Sequence, residues 1–121
     1  MDVGSSAAAE LWQAASEGRF RLTPEAAREC AAHFEWFAGT VAERQREVRD
    51  LERLTGFGGF DSAQQLQQGF QRKANQAVDA LKATEEAAWR MKAAVLRAAG
   101  LLEEVDAANA AALRAIEGAQ S

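Results

Sequence analysis

Two residues invite a chemical reading before any other. Cys30 and His33 stand three apart in "ECAAHF", close enough to meet on one turn of a helix, and they are the only cysteine and the only histidine in the chain. A cysteine nucleophile needs an activating base, and a structural zinc site needs four ligands. Cys30 falls on an apolar repeat, where a free thiol behaves as a small hydrophobe. A single cysteine also excludes an internal disulfide. The carboxylates Glu25, Glu29, Glu85, Glu86, Glu103 and Glu104 suggest a di-metal helical bundle, but the Glu-x-x-His ligand pairs of such bundles are absent. Solvated charge is the better reading. We assign no catalytic, metal or cofactor-binding residue, and we expect no enzyme.

The third chemical candidate is "TGFGGFD", which gathers Gly56, Gly58 and Gly59 with Phe57 and Phe60. A phosphate loop would require a following Lys-Ser/Thr pair and a preceding strand. Neither is present, so the glycines read as a chain reversal, with Phe57 and Phe60 plugging the open end of a helix pair.

The elements that must position these residues are helical. "SSAAAELWQAASEG" suits a short helix over about 5–17, with Ser5 or Ser6 as N-cap and Gly18 as stop. Thr23-Pro24-Glu25 opens a second helix running to about 55: hydroxyl cap, proline at the first position, acid in the first turn. Along it Ala27, Cys30, Phe34, Phe37, Val41, Val48 and Leu51 repeat in steps of three and four, a coiled-coil-like seam. After the turn at 56–60, Asp61 and Gln64 fit a capping-box variant. They open a helix over about 61–99, with Gly100 the only weak point before a continuation to about 117. Its apolar stripe, through Leu66, Phe70, Leu81, Met91 and Val95, is wide enough to touch more than one neighbour. Trp36 and Trp89 project to the flanks of these stripes, as secondary core or as interface anchors.

Composition narrows the class. The 121 residues suit one domain, 48% hydrophobic but rich in alanine and only 7% aromatic. So thin a core is commonly completed by a partner. A net charge of −4 argues against nucleic acid, and no stretch is apolar enough to span a membrane. The start "MDVGSSAAAELWQ" lacks the basic region of a standard secretory signal. In "GLLEEVDAANAAALRAIEGAQS", Glu103, Glu104, Asp106 and Glu117 face Arg114 alone. At the C-terminal end of a long helix such charge opposes the macrodipole, and the stretch is expected to fray unless bound.

With "FRLTPEAA" opening one helix, "GFGGF" at the turn and "LLEEVDAANAAAL" closing the next, residues 19–117 resemble the helical-hairpin proteins of actinobacterial type VII (ESX) secretion. The EspC-like branch is the nearer, the WXG-type proteins the more distant. Leu102 stands where the family's tyrosine-x-x-x-acid export signal has its tyrosine, with Asp106 as the acid; the chain has no tyrosine. The resemblance implies an all-α antiparallel helical hairpin with a short N-terminal helix, dimerising into a four-helix bundle. The expected partner is a second copy or a related hairpin, a larger secreted toxin, or a component of the secretion machinery. The expected function is that of a secreted substrate or of the partner of a secreted protein, cytoplasmic before export. The alternative is a cytosolic adaptor or toxin-neutralising partner that is never exported. The candidate interface comprises Phe34, Trp36, Phe37, Val41, Trp89 and Val95, and Leu102 with Asp106 is the candidate signal.

Overall fold

The computed structural model describes residues 3–52 and 58–117, and all of their regular structure is helical. The helices are α1 (Val3–Ser16), α2 (Pro24–Glu52), α3 (Asp61–Arg97) and α4 (Leu102–Glu117). The all-α expectation holds.

Local chemistry sets most of the boundaries. α1 begins two residues before the expected serine caps and ends as expected at Gly18, whose φ of 77° only glycine adopts without strain. There Gly18 N–H bonds Ala15 O at 3.2 Å and Arg19 N–H bonds Ala14 O at 2.9 Å, the paired pattern that satisfies a helix's last carbonyls. At α2 the Thr23 hydroxyl accepts from Ala26 N–H at 3.2 Å, so the expected cap is in place. At α3 the capping-box reading fails. Phe60 is the N-cap, without a side-chain cap bond, and Asp61 is the first helical residue, where its charge still favours the positive end of the dipole.

The larger correction lies at Gly100. Rather than continuing to 117, the helix stops at Arg97 and the chain reverses through Gly100 at φ 72°. Leu101 N–H bonds Leu96 O at 3.1 Å and Gly100 N–H bonds Arg97 O at 2.9 Å, repeating the pattern seen at Gly18. A straight helix would leave Val105, Ala108, Ala112 and Ala115 in water; folding back buries all four. The reversal also changes the electrostatics. Glu103 and Glu104 occupy the first turn of α4, where negative charge is favourable rather than opposed.

α3 is the axis against which the other three helices pack. Lys92 Nζ donates to Glu35 at 2.6 Å and Gln45 Nε2 donates to Glu85 at 2.9 Å, so α2 runs opposite to α3. Arg28 on α2 reaches Glu104 on α4 at 3.1 Å. α1 lies with Gly4 against Ala87 and Trp12 over Arg97, so it runs in the same direction as α3. The segment before α2 is pinned to the end of α3 by Leu22 N–H bonding Ala98 O at 3.1 Å. Surrounded on three sides, Ala93, Ala94 and Leu96 lose essentially all contact with solvent. The central cluster of Ala31, Ala93, Val95, Leu96, Val105 and Ala108 is ringed by Leu11, Trp12, Phe20, Leu22, Cys30, Phe34 and Leu101. It is largely an alanine core, which draws helix axes close but buries little area per residue.

Candidate protein-interaction surface

The half of the α2/α3 pair farthest from Gly100 is built differently. Among the described residues α1 and α4 pack nearer Gly100, and large apolar side chains expected in the seam are exposed. Leu66 is 62% exposed, and Leu51 and Phe70 are also exposed, as is Phe37 nearer Gly100. They share one side. At 3.6 residues per turn a separation of 18 residues is about five turns, so Leu66 and Phe70 point as Thr84 and Ala88 do. Thr84 and Ala88, with Phe34, Phe37 and Met91, line an apolar groove of about 580 Å³ that begins at Gly4 and Ala7 of α1. Phe37, Arg44, Val48 and Leu51 continue that side along α2 in steps of seven, four and three. The same rule turns Gln64, Gln68, Gln71 and Asn75 toward the side of Lys82, Glu86, Trp89 and Ala93, where α4 packs farther along. One side of this half is therefore apolar and the other amide-rich.

The structure sorts the six candidate interface residues. Trp36, 68% exposed, and Phe37 are available on the surface of α2. Phe34 packs partly against the core and also lines the groove. Val41 and Val95 are 6% and 4% exposed, spent inside the chain's own core, so they are removed from the candidate interface. Both positions are buried among the chain's own helices, while Phe37 and Leu51 of the same repeat are exposed. Trp89 is half-buried, and its indole N–H donates to Glu85 at 3.2 Å while Gln45 donates to the other Glu85 oxygen at 2.9 Å. This partly buried amide–carboxylate–indole cluster was missed from sequence, because Gln45 stands among charged residues that read as a solvated face.

At the turn, Gly58 takes φ 96°, the left-handed conformation expected of a reversal. Phe60 is 81% exposed and plugs nothing among the described residues. Gly56 and Phe57 lie outside the described residues. Leu102 and Asp106 are both exposed on the first turns of α4. With Asn109, Leu113 and Ile116 they form one stripe, in which the three apolar members are exposed. Cys30 is packed partly against the core and His33 is exposed, and no three Cys, His, Asp or Glu among the described residues gather as metal ligands. None of the described helices is long and apolar enough to cross a membrane. Comparison with protein-family models, curated proteins and solved structures finds no match in any of the three.

Proposed function

We propose that this chain is a non-enzymatic helical-hairpin interaction protein of the type VII secretion kind, acting as a secreted substrate or as the partner of a secreted protein. In this reading α2 and α3 form the hairpin and its apolar side pairs with a second copy or a related hairpin into a four-helix bundle. The observation that carries it is the sidedness of the far half: Leu51, Leu66 and Phe70 are exposed on one side, with amides on the other. Exposed large apolar side chains gathered on one side of a helix pair mark an interaction site. Leu102 and Asp106, exposed at the start of α4, are available to a receptor as a C-terminal signal.

Sedimentation velocity of the wild type and of the Leu51→Glu/Leu66→Glu variant tests the pairing. The wild type is expected to assemble, alone or with the product of a neighbouring gene, and the variant to remain a helical monomer. A wild type that melts cooperatively as a monomer at micromolar concentration, with no such partner, overturns it. Export is tested separately by whether Leu102→Ala/Asp106→Ala blocks type VII-dependent appearance in the medium. The missing tyrosine favours a second reading, a cytosolic adaptor or toxin-neutralising partner, which predicts no export of either form.

A further inference from the structure

On the side of α3 away from the apolar face, three arginines from two helices border one groove. Arg46 and Arg49 come from α2 and Arg114, the only basic residue of α4, from the opposite wall. The groove is about 350 Å³ and its floor carries Gln45, Glu85 and Trp89. On the same helices other basic side chains reach carboxylates: Arg28 bonds Glu104, Arg44 bonds Glu47, Arg90 bonds Glu86 and Lys92 bonds Glu35. Arg46, Arg49 and Arg114 form no ion pair among the described residues.

The one acid in the groove offsets only one of these charges and bonds none of the three arginines. Glu85 has one oxygen engaged by Gln45 Nε2 at 2.9 Å and the other by Trp89 Nε1 at 3.2 Å. Gln45 is 4% exposed, and Lys92 sits over the Trp89 ring at 5.2 Å, so the floor is held by packing. Three guanidiniums against one committed carboxylate leave two formal positive charges in a small concavity. Guanidinium forks match tetrahedral oxyanions in charge and geometry.

We propose that this groove binds a doubly charged tetrahedral oxyanion, either free phosphate or the phosphate group of a monoester. Arg46 and Arg49 hold it from one wall and Arg114 from the other, and Trp89 lies against the bound group. The site bridges α2 and α4, so occupancy ties α4 down. It is independent of the pairing face, and its failure leaves the proposed function standing.

The experiment uses the full chain. Inorganic phosphate and phenyl phosphate are titrated at ionic strength matched with chloride, following the Trp89 indole N–H resonance and the melting temperature. Saturable movement of that resonance and a rising melting temperature are expected. Arg46→Gln/Arg49→Gln/Arg114→Gln should weaken binding by at least about tenfold, a loss of about 1.4 kcal/mol. A control of equal charge change, Arg21→Gln/Arg72→Gln/Lys73→Gln, should bind as the wild type does. Preference for phenyl phosphate identifies a monoester ligand; equal binding identifies the free ion. Absence of saturation in the wild type, unchanged affinity in the groove variant, or equal loss in the control each overturns the proposal. The wild-type titration decides the matter even if a variant fails to fold.

Discussion

Residue identity matters most where the backbone or a buried donor leaves no alternative. Gly100 sits at φ 72° with nothing within 4 Å of the position a Cβ would take. Gly100→Ala therefore introduces backbone strain without a steric clash, and urea denaturation should show a loss of about 1–2 kcal/mol. Gly39, inside α2 with equally open space and no left-handed φ, gives the opposite sign: Gly39→Ala should stabilise by about 0.5–1 kcal/mol. The Gln45–Glu85 pair supplies a second test. Glu85→Ala strands a buried amide and should cost about 1–3 kcal/mol, whereas replacing both partners with leucine should recover much of that loss. If the single and double variants denature alike, the bond contributes nothing beyond the packing of its carbons.

At the scale of the element, α4 is the part whose environment differs most from the sequence expectation. As the end of one long helix, its acids would oppose the macrodipole and their removal would stabilise. As the first turn of a separate helix, they favour it. Glu103→Gln should thus destabilise by about 0.3–1 kcal/mol, an effect that shrinks with added salt. Glu104→Gln also removes the charge from the oxygen that accepts from Arg28, but both side chains are substantially exposed, which adds at most about 1 kcal/mol. Stabilisation by either variant in thermal or urea melts would place these acids at a helix C-terminus after all. The turn signals themselves were legible: Gly18 as stop and Thr23-Pro24 as start follow from elementary capping chemistry. The capping box at Asp61 was not, because its residue types match while the helix starts one residue earlier, with Phe60 as the cap.

For the whole molecule, the two ends of α3 have different stability. Near Ala93 and Leu96 three helices surround it; toward Leu66 its large apolar side chains are exposed. Local opening follows buried contacts, so backbone amides over 61–75 should exchange with deuterium well before those over 88–97. Assembly on the apolar side would slow the first group selectively, and uniform exchange along α3 would contradict the packing gradient. The same gradient explains how the candidate surface arises. α2 and α3 are long, whereas α1 and α4 are short and pack toward Gly100, so Leu51, Leu66 and Phe70 stay exposed.

By itself the sequence determined the class, the starts and stops set by Thr23 and Gly18, and the apolar positions along α2 and α3, since these depend on propensity, caps and a 3.6-residue period acting locally. It also marked Trp36 and Phe37 as surface candidates. Only the tertiary structure decided that α4 folds back at Gly100, that Val41 and Val95 are spent internally, that Phe60 stays in solvent, and that Arg46, Arg49 and Arg114 border one groove. Periodicity specifies a helix face but not which neighbour that face meets. Whether a glycine is tolerated within a helix or used to reverse the chain depends on the area buried by the reversal, and that sum is taken over residues distant in sequence.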